Sequence, residues 1–480
     1  MSLSMSLADR LGEYASSLSY EDLSETVILE TKKRILDAIG CAVGAFGEAP
    51  VKAARRLAER GYPGTASTVL GTRKKTTPDM ATFVNGGMVR YFDFNDTYLS
   101  KEPGHPSDNI PACLATAEME GRSGKELLLA IVLAYEIQCR LCDAANLRHR
   151  GWDHVNYGLV SGALASGKLM GLSREELAQA VNIAVCSHLT MRRVRAGGLS
   201  MWKGFSFANA SRNAVFSALL AREGMTGPSH VFEGEMGFFN QVSGRFQLDV
   251  KSFGRKGRRF KLVETFLKYY PAEYHAQTAI WAALDIRKRI AGDPLSRIAN
   301  VGVETHEAAY SILGKEPEKW SPETRETADH SLPYIVTMAL LEGRVDNGTY
   351  AAGKLKDPDV REFMKKVMVK EDRSMTETYP GSIPNKVTVK LDDGTVLVGR
   401  VDDPRGHPNN PMTGEEIEQK FRLLTRGMLK GPQVERVLKF VRSVERQSNL
   451  SPLFESCVVK PSSAGYLSSS GTYSSPLLPT

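Results

Sequence analysis

The stretch Leu127-Leu-Leu-Ala-Ile-Val-Leu-Ala-Tyr-Glu-Ile-Gln-Cys-Arg-Leu-Cys-Asp-Ala-Ala145 is nearly all apolar. This pattern predicts a buried helix and indicates that the first half of the chain has a helical core. Its continuous apolar run ends at Ala134, far short of the roughly 20 residues that a membrane span needs. No charged-then-apolar leader precedes it, so we expect a cytoplasmic protein without membrane contact.

The segments around this stretch also predict helices. Glu21–Val43 carries apolar residues at helical spacing, and the capping box Ser173-x-x-Glu176 opens a helix through Ala184. Alanine and glycine are abundant in Gly158–Gly171, which allows helices to approach closely. Because no run of alternating β-branched residues interrupts the first 230 residues or so, we expect this half to be all-α.

The chain changes character beyond this half. Two alternating runs in Lys386–Val401 flank an Asp-Gly pair, which is a strong hairpin signal, and Val301–His306 alternates like a strand. Helical patterns at Leu332–Leu341 and Val360–Val369 lie between these strands. Residues 267–405 are therefore predicted to form a separate α+β domain.

Helical patterns resume at the capping box Thr413-x-x-Glu416, and two helices reaching Arg446 can return to the first domain. The segment after Pro461 is rich in serine and glycine and too poor in apolar residues to fold. The predicted architecture is thus mainly α. A large all-α domain comprises residues 1–266 and 406–460, the smaller α+β domain is inserted at 267–405, and residues 461–480 form a disordered tail.

Composition limits the classes of function. A formal charge of +7 over 480 residues suits an anionic metabolite better than a nucleic acid, which calls for a concentrated basic stripe. The nearest candidate, Lys251–Lys261, is short and interrupted by glycine, and is more typical of a solvated loop. The six cysteines are scattered, and the Cys139-x-x-Cys142 pair has no second pair at zinc spacing. We therefore expect reduced core thiols.

The segment Tyr91–Asn109 predicts a ligand cleft. Prolines in it break both helix and strand, and aromatic residues alternate with polar groups that would each need a partner if buried. Aromatic side chains close to acid, base and hydroxyl groups that converge on one space are typical of a small-molecule site. The alternative is a solvated loop whose acids and serines only form turns. The polar residues are Asp93, Asp96, Thr97, His105, Ser107 and Asp108.

A second candidate segment, Arg192–Gly204, places Arg192, Arg195 and Lys203 around a Gly-Gly pair ahead of a helix predicted to begin near Ala208. Cations and free amides at the start of a helix make an anion site. The adjacent tryptophan favours burial over the alternative of a solvated basic loop.

A third candidate, Lys268–His275, contains Lys268, Glu273 and His275 at the predicted domain junction. The last two residues can equally serve to cap the following helix. His154, in a loop, is a further candidate base, although a lone histidine is more often structural.

Several motifs are missing from the sequence. It contains no GxGxxG, no Walker loop, no HExxH, no GxSxG and no cysteine cluster for an iron–sulfur centre. The remaining chemistry is proton transfer by side chains, with cations to hold a multiply charged anion. We expect no cofactor and no metal.

Four motifs carry a family resemblance, which runs from near residue 10 to about 450. In these motifs the sequence resembles the 2-methylcitrate dehydratase family, which also includes the cis-aconitate decarboxylases. The motifs are Asp93-Phe-Asn-Asp-Thr97 with Gly104-His-Pro-Ser-Asp-Asn109, Ser200-Met-Trp-Lys-Gly204, Tyr270-Pro-Ala-Glu-Tyr-His275, and Arg325-Glu-Thr-Ala-Asp-His-Ser-Leu-Pro-Tyr334.

The resemblance implies an all-α domain built from both ends of the chain, an inserted α+β lid and a homodimer. It also implies a catalytic set. From side-chain chemistry we hypothesise that His105 or His154 is one of the acid–base pair, that Asp93 orients a histidine or acts with Thr97 on the hydroxyl, that Tyr310 donates to the leaving oxygen, and that the lysines offset charge. We further expect substrate contacts from Arg192, Arg195, Ser107, Glu273 and His275. The catalytic set is Asp93, Thr97, His105, His154, Lys203, Lys268 and Tyr310.

Within the family the residue at position 273 separates two groups. Dehydratase-like members have Glu after Pro-Ala, as here, whereas animal decarboxylases look to have His. We therefore expect cofactor-independent dehydration of 2-methylcitrate, a tricarboxylate, as in propionate breakdown, with citrate as a possible second substrate. Decarboxylation of cis-aconitate is the alternative, and a non-enzymatic RNA-associated protein is a remote one.

Overall fold

The computed structural model describes residues 5–459, so the predicted disordered tail at 461–480 lies outside the described residues. The first half of the described chain is built from α-helices, as the sequence predicts. These are α1 (Leu7–Ser17), α2 (Glu25–Gly44), α3 (Ala49–Gly61), α4 (Pro78–Arg90), α5 (Ile110–Met119), α6 (Gly124–Ala144), α7 (Val155–Met170), α8 (Arg174–Ser187) and α9 (Ser206–Arg222).

Helix α6 lies in the middle of this half, and sixteen of its 21 residues are buried. It contacts α7, which in turn packs on α9. A Cβ at Gly158 of α7 would lie 2.4 Å from the ring of Phe207, and one at Gly162 would lie 2.9 Å from Cβ of Ala214. The glycines predicted to allow close helix approach therefore do so along the α7–α9 contact.

One feature of this half contradicts the all-α prediction. Strands β1 (Pro63–Thr68) and β2 (Lys75–Thr76) form a small antiparallel ribbon. Neither strand carries the alternating apolar pattern that predicts one, because most of β1 is half-buried or exposed. Backbone pairing alone makes the ribbon, which leaves no strong signal in the sequence.

The second half contains a four-stranded sheet in the order β4-β3-β5-β6. The predicted hairpin is confirmed, since β5 and β6 pair antiparallel, and β3 forms at the predicted strand. The strands are β3 (Ile298–Thr305), β4 (Val367–Glu371), β5 (Asn385–Leu391) and β6 (Val396–Val401). The helices here are α10 (Gln277–Arg289), α11 (Pro294–Arg297), α12 (Glu307–Leu313), α13 (Arg325–Ala328), α14 (Leu332–Glu342), α15 (Ala352–Leu355), α16 (Pro358–Met364) and α17 (Arg373–Thr376).

The helix predicted over Val360–Val369 is wrong at its C-terminal end. Helix α16 stops at Met364, and the chain then forms β4, which pairs parallel with β3. In β4, Val367 and Val369 are buried while Met368 is 67% exposed. Val367 continues the helical spacing of Val360 and Met364 and also alternates with Val369 as in a strand, and pairing with the neighbouring strand β3 decides between the two.

The chain after the sheet returns to the helices of the first half. Helices α18 (Gly414–Thr425), α19 (Gly431–Arg442) and α20 (Ser451–Ser456) follow, and the predicted capping box at the start of α18 is confirmed. Helix α18 packs on α2, where Phe421 and Leu424 lie against the Cα face of Gly40.

Lys420 of α18 makes a buried connection between three parts of the chain. Its Nζ donates hydrogen bonds of 2.7 Å to the carbonyl oxygens of Phe94 and Lys268, and lies 2.6 Å from Oδ1 of Asp37 on α2. Because the ammonium and the carboxylate are both withdrawn from water, each depends on the other for its charge. The segments that carry Asp93 and Lys268 are therefore fastened to the C-terminal helix.

Within residues 5–459, no helix combines the length and apolar character needed to cross a membrane. Cys139 and Cys142 are buried one turn apart on α6 and form no disulfide. Burial raises the pKa of both thiols well above the ordinary value, so they remain protonated and apolar, as predicted for core thiols.

Replacing Lys420 by methionine is expected to lower the free energy of unfolding by about 3–5 kcal/mol, because Asp37 is left buried without its countercharge. Urea denaturation followed in parallel by circular dichroism and tryptophan fluorescence measures the change. Lys365→Met is the control, since its pair with Glu362 is 72% and 68% exposed, and it should change stability by under ~1 kcal/mol. Equal losses in the two variants would contradict the role of the buried pair.

Candidate active site

A cleft of about 200 Å³ lies where residues of the helical first half meet residues of the sheet-bearing segment. Its walls are unusually rich in ionisable groups for so small a space. Arg90, Arg148, Arg192, Arg195 and Lys319 supply positive charge, His105, His154 and His330 supply imidazoles, and Glu273 and Glu316 supply carboxylates.

Asp93 lies at the base of this cleft, fully buried, among three cationic side chains. Its carboxylate accepts hydrogen bonds from Arg90, from Lys268 Nζ at 2.6 Å and from Lys203 Nζ at 3.3 Å. The backbone of Asp93 has a φ of 49°, in the left-handed region that costs a non-glycine residue free energy. Lys268 Nζ also donates to the Asp93 carbonyl at 2.8 Å, which helps to hold this conformation.

The charges around Asp93 decide its protonation state. Burial alone would raise the pKa of the Asp93 carboxyl, but Arg90, Lys203 and Lys268 together lower it well below the ordinary value. The same pairing satisfies three cations that would otherwise be costly to bury.

Lys203 extends this cluster toward the sheet-bearing segment. Its Nζ lies 2.9 Å from Oδ1 of Asp329, and Oδ1 of Asp329 lies 2.7 Å from Nδ1 of His330. Lys203 belongs to a 3₁₀ turn just before α9, as the sequence places it, and is buried as the adjacent tryptophan suggested. The ion pair with Asp329 therefore joins the two halves of the cleft.

The loop after Asp93 is shaped by internal hydrogen bonds. Asp96 accepts from the Ser107 amide at 2.9 Å and from the Tyr135 hydroxyl at 2.7 Å. Asn95 donates to Ser107 and Asp108, and Thr97 Oγ1 donates to the Gly104 carbonyl. The acids and hydroxyls of this loop mostly build its conformation, and Thr97 is the hydroxyl among them that also reaches the cleft.

His105 is held in one tautomer. Its Nδ1 lies 2.7 Å from the Asp96 carbonyl oxygen, which can only accept, so Nδ1 carries the proton. Nε2 then accepts from Arg90 Nη2 at 2.9 Å. Burial, with Arg90 and Lys268 nearby, lowers the pKa of His105 well below its ordinary value. The imidazole is neutral, and the lone pair on Nε2 already accepts the hydrogen bond from Arg90.

His154 has the same charge state but a free nitrogen. Its Nδ1 lies 3.3 Å from Oδ1 of Asp153, while its buried Nε2 has no hydrogen-bond partner among the described residues. Burial lowers its pKa well below the ordinary value despite Asp153, since Arg192 and Arg195 also disfavour the imidazolium. A neutral imidazole whose Nε2 lone pair is unpaired at a cleft wall can take a proton from a bound molecule.

Asp153 is itself fixed by cations. Its Oδ2 lies 3.0 Å from Arg195 Nε and 3.5 Å from Arg192 Nη1. Burial would raise the pKa of the Asp153 carboxyl, but Arg195, His154 and Arg192 together bring it to about 2. The two arginines predicted to bind an anion thus also orient the dyad of Asp153 and His154.

Glu273 and His275 form a local pair. Glu273 accepts from the His275 amide at 2.8 Å and lies 2.8 Å from Nδ1 of the same residue, which is the capping alternative considered from the sequence. Burial would raise the pKa of Glu273, but His275, His330 and Lys268 bring it to about 2. Glu273 faces the cleft, whereas His275 lies behind it, with Nε2 3.4 Å from the hydroxyl of Tyr379.

The structure brings together most of the predicted site. Among the described residues, the cleft lining includes Thr97, His105, His154, Arg192, Arg195 and Glu273. Asp93 and Lys203 lie directly behind it, in contact with Arg90 and His330 of the lining, and Lys268 is bound to Asp93. Ser107, His275 and Tyr310 are not part of the lining, and Tyr310 on α12 is half-buried against the core while its neighbours Ser311 and Ile312 reach the cleft.

Sequence reasoning missed five ionisable residues of the lining, which are Arg90, Arg148, Glu316, Lys319 and His330. Arg90 precedes the first motif by three residues, and His330 lies inside the fourth motif, where no role was assigned to it. Arg148 and Lys319 belong to no motif, Arg148 lying in a short basic run that is largely exposed and Lys319 in an ordinary stretch of sequence. Only the fold could place them in the cleft.

Asp93, Asp329 and His330 are also arranged as metal ligands could be, with one ligand atom of each within 4.8 Å of the others. Lys203 Nζ lies 3.3 Å from Asp93, 2.9 Å from Asp329 and 3.2 Å from His330. The ammonium therefore occupies the place that a cation would take, so the three residues fit a metal poorly.

The Asp93 cluster predicts a specific pH dependence. Asp93→Asn should lower the free energy of unfolding by about 3–5 kcal/mol at pH 7, because buried Arg90 and Lys268 lose their nearest countercharge and Lys203 keeps only that of Asp329. Because the folded-state pKa of Asp93 is depressed, this stabilisation is fully present above the unfolded pKa of about 3.9 and is lost as the pH falls below it. The difference between wild type and variant, measured by urea denaturation from pH 7 to 3.5, should be constant above about pH 5 and begin to shrink near pH 4. A pH-independent difference would contradict the charge argument.

Comparison with known proteins agrees with the motifs. The MmgE/PrpD N-terminal domain matches residues 9–251, and the MmgE/PrpD C-terminal domain matches residues 270–446. The 2-methylcitrate dehydratase of Cupriavidus necator is 32% identical over 84% of this chain and 87% of its own length. That of Escherichia coli K12 is 31% identical over 88% and 91%, and the mitochondrial 2-methylcitrate dehydratase of Yarrowia lipolytica is 29% identical over 87% and 84%. The chain belongs to the MmgE/PrpD family.

Proposed function

We propose that this chain is a hydro-lyase that dehydrates 2-methylcitrate to 2-methyl-cis-aconitate without a cofactor. Relatives that align over most of its length carry the name 2-methylcitrate dehydratase. The observation that supports the proposal is a small cleft in which cations without a close countercharge lie around neutral histidines. A tricarboxylate substrate needs cations to bind its carboxylates and a neutral histidine to take its carbon-bound proton.

Two cations of the cleft lack a close countercharge. Arg148 forms no ion pair with the described residues, and its buried Nε has no hydrogen-bond partner there. Lys319 is 1% exposed, and its closest carboxylate is that of Glu316 at 3.7 Å. The buried Lys319 ammonium and the half-buried Arg148 guanidinium, each without a close countercharge, favour an anion. We assign Arg148, Lys319 and Arg192 to the carboxylates of the substrate.

The reaction requires a base for the proton on the methyl-bearing carbon. His154 is the better supported of the two histidines considered from the sequence, because its Nε2 is free whereas that of His105 accepts from Arg90. Asp153 orients the ring and stabilises the imidazolium that forms. The negative charge that develops on the substrate is offset by preorganised cations, with Arg90 in the lining and Lys203 and Lys268 behind it.

The alternatives have less support. In animal cis-aconitate decarboxylases the residue at position 273 looks to be His. In this chain it is Glu273, and its carboxylate is paired with His275. The basic run proposed for RNA is partly neutralised, since Lys261 pairs with Asp143 and Glu264, and Arg259 also pairs with Glu264. The Glu273–His275 pair does not favour decarboxylation, and the partly neutralised basic run does not favour binding to a phosphate backbone.

We further propose the arrangement of domains that the sequence predicts. Residues 5–266 and 406–459 would form one helical domain, which the packing of α18 on α2 supports. Residues 267–405 would act as a lid that closes over the substrate, which the mixed lining of the cleft supports. A homodimer and a cytoplasmic location stay predictions.

Purified protein with 2-methylcitrate and EDTA is expected to produce ultraviolet absorbance from the conjugated product. His154→Gln should lower kcat by about 10²–10⁴-fold, because the base is lost. Citrate and cis-aconitate are assayed in parallel, and carbon dioxide is trapped in the cis-aconitate reaction. No absorbance with 2-methylcitrate, together with carbon dioxide from cis-aconitate, would replace this function with decarboxylation.

Lys319→Met is expected to raise KM for 2-methylcitrate by about 10–100-fold with a smaller change in kcat, because a charge-assisted contact to the bound substrate is lost. Initial rates over a range of substrate concentrations measure both constants. Lys315→Met, on an exposed side chain of the same segment, is the matched control. An unchanged KM would remove Lys319 from the binding site.

A further inference from the structure

His330 is an ionisable group at the cleft wall to which neither the sequence motifs nor the mechanism above gives a task. It lies between α13 and α14, in the fourth sequence motif, and its side chain is 10% exposed, toward the cleft. It is contributed by the sheet-bearing segment, whereas His105 and His154 come from the helical half.

The backbone around His330 is firmly held. Its amide donates to the Thr327 carbonyl at 3.1 Å, and the carbonyl of Asp329 accepts from the Glu273 amide at 2.9 Å. The next residue, Ser331, caps α14 through Tyr334 and donates to the Lys319 carbonyl. The ring is therefore placed by the ends of two helices, as a preorganised catalytic group needs to be.

The neighbours of Nδ1 fix the orientation of the ring. Nδ1 lies 2.7 Å from Oδ1 of Asp329, 3.5 Å from Oδ2 of Asp93 and 3.2 Å from Nζ of Lys203. The Asp329 carboxylate can only accept and is the nearer neighbour of Nδ1, at 2.7 Å against 3.2 Å for the lysine ammonium, so Nδ1–H donates to Asp329. This leaves Nε2 as the nitrogen available to a bound molecule, because none of the described residues forms a hydrogen bond with it.

We propose that His330 is the general acid of the dehydration, and this rests on the proposed function. His154 Nε2 takes the proton from the methyl-bearing carbon, and the C–H electron pair becomes the new carbon–carbon π bond. The adjacent C–O bond breaks, and the leaving hydroxyl takes a proton from Nε2 of protonated His330 to depart as water. The proton gained by His154 and the one lost by His330 are restored by exchange with solvent.

The charges facing His330 suit it to carry that proton once substrate is bound. Burial, with Lys203 nearby, lowers the pKa of His330 to about 4, although Asp329 and Asp93 favour the imidazolium. Glu273 also faces the ring and favours the charged form. A bound tricarboxylate adds negative charge on the Nε2 side, which opposes this lowering and raises the pKa of His330 in the complex.

Other candidates for the acid fit less well. Tyr310, expected from the family resemblance, is not part of the cleft lining. His105 cannot become an imidazolium without placing Nε2–H against the Arg90 guanidinium, since that nitrogen now accepts from Arg90. Thr97 reaches the cleft, but a neutral hydroxyl is a far weaker acid than an imidazolium.

Two variants separate proton donation from positioning. His330→Asn retains a donor near the place of Nδ1 and can still reach Asp329, while His330→Gln retains a donor near Nε2 but not a titratable one. His188→Gln, at a half-buried histidine after α8, is the matched control. If His330 is the acid, both variants lose about 10²–10⁴-fold in kcat, with KM and melting temperature close to wild type.

The pH profile gives a second readout. In wild type, kcat should fall at alkaline pH as His330 deprotonates in the complex, and in His330→Asn this alkaline limb should disappear from the residual activity. Near-normal kcat in His330→Asn, or an unchanged alkaline limb, would overturn the proposal and leave His330 as a positioning residue. If wild type and His188→Gln both fail to turn over 2-methylcitrate, the proposed function itself is overturned, and the assigned step falls with it.

Discussion

The site depends on one buried carboxylate. The Asp93 carboxylate accepts hydrogen bonds from Arg90, Lys268 and Lys203. These three cations belong, in that order, to α4, to the junction before α10 and to the turn before α9. Without that charge, three cations would be buried together in a small volume, which is among the most costly arrangements in a protein. The strained backbone of Asp93 is therefore tolerated, because the surrounding cations hold it in place.

This pairing also determines the protonation state of the histidines. Arg90, held by Asp93, donates to Nε2 of His105, and together with Arg195 and Arg192 it also disfavours the imidazolium of His154, the proposed base. Fixed positive charges next to imidazoles favour their neutral form, so a histidine can act as a base at neutral pH. The cations that would bind the anion thus also keep the base ready, and one set of charges serves both purposes.

The sequence was sufficient for features that repeat or that depend on local chemistry. The buried helix α6, the capping boxes and the hairpin of β5 and β6 follow from periodicity and turn residues. Most of the predicted site lies at one cleft, because its motifs combine residue types that an ordinary core or surface excludes. The β1–β2 ribbon and the edge strand β4 were missed, since backbone pairing with a neighbour defines them. Arg148 and Lys319 were missed because the function of a cation outside a motif depends on which groups the fold places opposite it.

The division of the site between two parts of the chain has a mechanistic consequence. The dyad of Asp153 and His154 belongs to the helical half, and the dyad of Asp329 and His330 belongs to the sheet-bearing segment. The ion pair between Lys203 and Asp329 joins them, and a substrate held by Arg148 and Lys319 would join them again. In the mechanism we propose, base and acid would meet across the substrate only when the two parts are docked. Binding energy from the carboxylates would then be converted into alignment of the two proton-transfer groups, so the contacts that hold the anion would also contribute to the rate.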